Sequence, residues 1–176
     1  MNRTAQELKD IVQKLIRTWA TEGLPSGNAL MLAAEDLERR RKNLQSPGFW
    51  PFPRVMATAT IDDGIGQGIR VIERFGTAVG LEMKPLGLMQ PAGAIIDACW
   101  RLQPDFLGLT VLQFDSEPIV AAISEKKPPQ TILICGGPVF TADPQFAERT
   151  GVNHAAKNVA TFLEILLNLS ASADAV

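Results

Sequence analysis

The sequence predicts an α/β fold: a doubly wound, flavodoxin-like sheet of five parallel strands in the order 2-1-3-4-5, preceded by a short helical extension. Three observations carry this expectation. From Arg54 onward, short apolar segments alternate with amphipathic segments of helical length. The apolar segments read as buried strands, and strands linked by helices argue for a parallel sheet covered on both faces. Glycine-bearing loops follow the first and fourth of these segments, at the strand ends where doubly wound sheets keep their ligands.

The elements follow in order. Over residues 4–20, Leu8, Ile11, Val12, Leu15, Ile16 and Trp19 recur at three- and four-residue spacing, which places them on one face of a helix. Thr4-Ala5-Gln6-Glu7 reads as a capping box at its start. Gly23-Leu24-Pro25-Ser26-Gly27 breaks the chain, and a second helix is expected over 28–44, with Leu30, Ala33, Ala34 and Leu37 inward. It ends in Arg39-Arg40-Arg41-Lys42, a solvated basic end that complements the helix dipole. Residues 46–53 carry three prolines, which forbid regular helix, and three aromatic rings, Phe49, Trp50 and Phe52. These rings suit docking of the helices or covering of a bound ligand. Strands are then expected at 55–61, 81–86, 106–112, 131–135 and 152–155. Helices are expected at 66–79, 92–102, 117–126, 144–149 and 158–169, with right-handed crossovers. The tail from Ser170 to Val176 is expected to fray. The domain division is a helical extension (1–45), a Pro/aromatic linker (46–53) and an α/β domain (54–170).

Composition excludes several functions. The 176 residues are 46% hydrophobic and 20% charged, ordinary for one globular domain with an appendage. A net charge of −2 leaves no basic footprint for nucleic acid. No apolar run reaches the ~18 residues of a membrane span. The N-terminal stretch is charged throughout and has no signal-peptide apolar core, so a cytoplasmic location is expected. Cys99 and Cys135 are too few and too badly spaced for a zinc site, and both are expected to be reduced and buried. With a single histidine, His154, no nucleophile–base–acid set is visible.

Three loops invite chemistry. Asp62-Asp63-Gly64-Ile65-Gly66-Gln67-Gly68 has the spacing G-x-G-x-G, which is not the dinucleotide fingerprint, and no Gly-Lys-Ser/Thr follows to make a P-loop. The acidic pair suits a phosphoacceptor receiver domain, but Thr110 stands where the acceptor aspartate would be. The aspartates also suit helix capping. Thr110-Val111-Leu112 ends the third strand, and Gly136-Gly137-Pro138 follows the fourth. Gln113, Asp115 and Glu117 face the same end without a specific signature.

Taken in order, these loops resemble the cobalamin-binding domain family of corrinoid methyl carriers and cobalamin-dependent mutases and methyltransferases. The resemblance spans about residues 54–169. The family's first loop runs Asp-x-His-x-x-Gly. Matching its glycine to Gly66 puts Asp63 at the histidine and Ile61 at the aspartate, and makes Ile65 and Ile69 helix-facing. The family's Ser-x-Leu is similar to Thr110-Val111-Leu112, and its Gly-Gly to Gly136-Gly137. The lead from Pro104 to Thr110 and the start Gly151-Val152-Asn153 also look like the family's.

The resemblance implies a corrinoid-binding carrier or sensory module that acts with a methyltransferase or regulatory partner and is not an enzyme on its own. Cobalamin would lie against Asp63, Gly66, Gly68, Thr110, Leu112, Gly136 and Gly137, with Phe49 or Trp50 near the ring. Because imidazole and its orienting aspartate are both missing, cobalamin would keep its own benzimidazole on cobalt or carry no protein ligand beneath it. Two alternatives stay open: an interaction module that has lost the corrinoid, and a sensor binding haem or another tetrapyrrole through His154 or Cys135. A homodimer is compatible with either.

Overall fold

The structure, a computed structural model, describes residues 3–173. Its contacts divide it into two compact units. One comprises Met1–Arg54, Arg70–Glu82 and Val159–Val176; the other comprises Val55–Ile69 and Met83–Asn158.

The second unit carries most of the sheet. Strands β1 (Val55–Thr60), β2 (Glu82–Gly87), β3 (Phe106–Thr110), β4 (Ile132–Gly136) and β5 (His154–Ala156) are ordered β2-β1-β3-β4-β5. This is the expected parallel, flavodoxin-like order. The order reverses direction after β2, so the topological switch point lies between β1 and β3. The register aligns the carboxyl ends: Thr60 lies beside Thr110, Thr110 beside Gly136, and Gly136 beside Ala156.

Alternation along the strands explains the packing. Ala57, Ala59, Leu107, Leu109, Leu133 and Cys135 form one buried set with Ile95 and Cys99 of α4 (Ala92–Leu102) and Val120 and Ile123 of α5 (Glu117–Lys126). The intervening Met56, Thr58, Phe106 and Ile134 are buried as well. Central strands buried on both faces are what a parallel sheet requires. Strand β2 is an edge strand, largely exposed or half-buried, and it tolerates Pro85 because an edge position need not donate on its outer side.

The first unit packs α1 (Arg3–Glu22) against α8 (Val159–Ala173). Leu8, Val12, Ile16 and Trp19 form the buried stripe of α1, and Trp19 meets Phe75 of α3 (Gln67–Ala78) edge-on at 5.7 Å. The basic end of α2 (Gly27–Asn43) is neutralised locally. Arg39 and Arg40 bind Asp36, Lys42 binds Glu38, and Arg41 donates to the Ala78 carbonyl. Phe49 and Trp50 are buried and in ring contact at 6.0 Å, so neither ring is presented to a ligand; Phe52 is the exposed member of the trio.

Several local expectations change. Helix α1 begins at Arg3, so Thr4 lies inside its first turn rather than capping it. Helix α8 continues to Ala173 through residues expected to fray, because Leu166, Leu167 and Ser170 are buried; 174–176 lie outside the described residues. A 3-10 turn (Phe114–Ser116) precedes α5, and a short helix α6 (Val139–Ala142) comes before α7 (Phe146–Thr150), the helix expected at 144–149. Strand β5 begins at His154 instead of 152, because Asn153 stands in as a strand residue. Its side-chain oxygen accepts from the Leu133 amide at 2.7 Å, and its own amide donates to the Leu133 carbonyl.

Candidate functional site

The three marked loops meet at the carboxyl edge of the sheet, and the four-residue stretch Thr60–Asp63 ties them together. The Thr60 hydroxyl accepts from the Met89 amide at 2.8 Å and donates to the Asp63 carbonyl at 2.5 Å, while its own carbonyl accepts from Gln90. Asp63 folds its carboxylate back onto its own loop: Oδ1 accepts from the amides of Ile65 at 2.8 Å and Gly66 at 3.0 Å. This satisfies donors at the approach to α3, the capping role that acidic residues play at helix starts. Asp62 reaches across the switch point. One carboxylate oxygen accepts from the Leu112 amide at 2.8 Å, and the other accepts from the Gln113 amide at 2.9 Å and the Ser116 hydroxyl at 2.7 Å.

The side chains attached to those amides are apolar and open to solvent. Ile65 is 68% exposed, Met89 61% and Leu112 38%, and Phe114, one residue beyond Gln113, is 53% exposed. Ile65 therefore does not face the helix as its alignment suggested, whereas Ile69 is buried. Met89 and Phe114 escaped the sequence reading. An apolar residue in a polar loop was the only signal available, and it could not reveal that the loops converge.

The glycines fall into two kinds. Gly137, with φ +125°, passes so close to β3 that a Cβ would collide with the Val111 carbonyl oxygen. Gly66 has φ +71°, and a Cβ there would meet a Leu88 methyl. Both are required by the fold itself. A Cβ on Gly136 would come to 3.0 Å from the Ala156 carbonyl oxygen, whereas Gly68 has open space beside it. Thr110 is half-buried at the strand end, and its hydroxyl has no hydrogen-bond partner among the described residues.

The remaining candidates separate. His154 starts β5 opposite Ile134, two residues short of the edge marked by Ala156, rather than near the carboxyl end where a strand over 152–155 would have put it. Cys135 lies in the buried set on the other face of the sheet, so the two do not converge on one ligand. Both cysteines are free and buried, as expected. Burial pushes the Cys99 thiol up to about 11 and the Cys135 thiol further, so neither is a ready thiolate. Among the described residues no group of three His, Cys, Asp or Glu side chains could hold a metal ion, and no helix is long and apolar enough to cross a membrane.

Beside the edge, Arg149 forms a bidentate pair with Glu117 at 2.9 and 2.8 Å and also binds Asp143 at 2.7 Å. Its guanidinium lies 5.9 Å from the centre of the Phe146 ring, which in turn meets Phe114 at 6.3 Å. Arg149 holds both carboxyls below the usual range.

No protein-family model matches this sequence, and no curated protein matches it. Solved structures do. A cobalamin-binding protein from Desulfitobacterium hafniense DCB-2 superposes with a TM-score of 0.70 at 19% identity, over 92% of this chain and 94% of that one. The chain shares the fold of that protein. The monomethylamine corrinoid protein of Methanosarcina barkeri gives a TM-score of 0.62 at 17% identity, over 92% of this chain and 80% of that one. The methanol:cobalamin methyltransferase complex MtaBC from Methanosarcina barkeri gives 0.66 at 15%, over 96% of this chain and 66% of the matched chain. At these identities the likeness is one of fold.

The residues present can be tested against a corrinoid. The positions that the resemblance gives to the histidine and its aspartate offer no imidazole: Ile61 is apolar, and the Asp63 carboxylate is engaged by the Ile65 and Gly66 amides. The rest of the edge fits. It offers apolar side chains to a broad ring, an unpartnered hydroxyl at Thr110, and open backbone at Gly68.

Proposed function

We propose that this chain is a corrinoid-binding carrier or sensory module that seats cobalamin on the carboxyl edge of its sheet with no protein ligand on the cobalt. The observation that carries this reading is the convergence of Ile65, Met89 and Leu112, whose amides all donate into residues 60–63 while their side chains remain in solvent. Exposed apolar groups gathered on one edge mark a binding surface, and covering them with an apolar ring face releases water. Thr110 supplies a hydroxyl for a polar group of the ligand's tail, and Gly68 leaves the backbone accessible. Asp63 holds the first loop in shape and touches the ligand only through that loop. A bound cobalamin would supply the methyl-transfer or radical chemistry, while the protein orients and shields it. The matched structures include a methyltransferase complex, which supports a methyltransferase as partner.

A second reading has an observation of its own. Leu88 packs beside Gly66, where an open slot would be expected, and this favours an interaction module that binds no corrinoid. Visible titration with hydroxo-, methyl- and adenosylcobalamin, followed by gel filtration, separates the two. Retained corrinoid is the expected result; loss of every form on the column would leave the interaction module.

A further inference from the structure

The carboxylate of Asp62 takes three hydrogen bonds from the loop after β3. We infer that Asp62 is a positioning residue for the corrinoid seat, an inference that rests on the reading above. Asp62 leaves the end of β1, and its acceptors engage Leu112, Gln113 and Ser116 at the end of β3. These are the two strands that part at the switch point, where the crevice of an open α/β sheet lies.

The bridge has three physical consequences. Hydrogen bonds to a carboxylate are shorter and stronger than neutral ones, so three of them add to the Phe114–Phe146 ring contact in fixing the loop. The consecutive amides of Leu112 and Gln113 and the Ser116 hydroxyl precede α5, so the negative charge also complements the positive end of that helix. Those donors are therefore closed to a phosphate or other anion. What the loop presents outward is Leu112 and Phe114, with Ile65 exposed on the loop after β1. Asp62 thus sets the width of the apolar seat without touching its occupant. In the alignment with Asp-x-His-x-x-Gly this position is the unspecified one, so the bridge belongs to this chain's own residues.

The test uses the full chain with Asp62→Ala and Asp62→Asn, titrated with hydroxocobalamin and followed by amide hydrogen exchange. Asp62→Ala is expected to weaken hydroxocobalamin binding about tenfold or more. Exchange at Leu112 and Gln113 should accelerate, while Ile65 and Gly66, held by Asp63, keep their protection. Asp62→Asn retains one acceptor oxygen and should fall between, which keeps the question answerable if the alanine variant fails to fold. A loop that exchanges faster while hydroxocobalamin binds as in the wild type would overturn the inference and leave the corrinoid reading standing. Unchanged protection at Leu112 and Gln113 would also overturn it. A wild-type protein that takes up no hydroxocobalamin would remove the corrinoid reading and this inference with it.

Discussion

Single residues at the carboxyl edge divide between those the fold needs and those it leaves free, and glycines show the division best. A Cβ at Gly137 has nowhere to go, because it meets the backbone of Val111, just past β3, whose amide is itself bound to the Gly136 carbonyl. Gly137→Ala is expected to cost about 3 kcal/mol, from strain at positive φ plus the collision, read as a lower denaturant midpoint. Gly68→Ala should instead be neutral or stabilise α3 by up to about 1 kcal/mol, since alanine suits a helix better than glycine. The same substitution should weaken cobalamin binding if the ligand uses that space. Arg149 gives a test of charge. Its two carboxyl partners titrate below their ordinary range, so the pairing contributes above the unfolded carboxyl pKa and is lost as pH falls through the lowered folded values. Any melting-temperature gap between wild type and Arg149→Met should therefore be present at neutral pH. It should close only below the ordinary carboxyl range of about 4. A gap that persists unchanged well below that range would show that the contribution is packing on Phe146 rather than charge.

Elements were the part most legible from sequence, and the reasons are physical. The strands β3 and β4 are nearly continuous apolar runs and β1 alternates apolar residues with two buried threonines; such buried runs leave a strong signal. Loops were not legible, because their geometry depends on partners far away in sequence. Asp62 reads as one half of an acidic pair, yet its partners lie fifty and more residues on. The apolar seat was missed for the same reason: Met89 and Phe114 are ordinary loop residues until Thr60 and Asp62 gather their loops. Strand β5 shows the converse, a strand too short for periodicity and started by one side chain. Asn153→Ala removes the acceptor for the Leu133 amide, with an expected cost of about 1–3 kcal/mol. Amide exchange at Leu133 should accelerate while that at Leu107, in the centre of the sheet, holds; equal acceleration at both would show general loosening instead.

At the scale of the whole molecule, the strand order was foreseen because few topologies fit alternating strands and helices with right-handed crossovers. Candidate ligand contacts were foreseen at the correct edge because doubly wound sheets bind there. What a chain of this fold binds does not follow from the order alone, and the missing imidazole makes the state of the cobalt the central question. The most direct measurement is the electron paramagnetic resonance spectrum of cob(II)alamin bound to protein labelled uniformly with the heavy nitrogen isotope. Cob(II)alamin should remain with the protein through gel filtration, and its spectrum should show no coupling to labelled nitrogen, with either the benzimidazole nitrogen or none beneath the metal. Coupling to labelled nitrogen would place a protein ligand, with His154 the one imidazole able to supply it, on the cobalt. Loss of cob(II)alamin on the column would contradict corrinoid binding altogether.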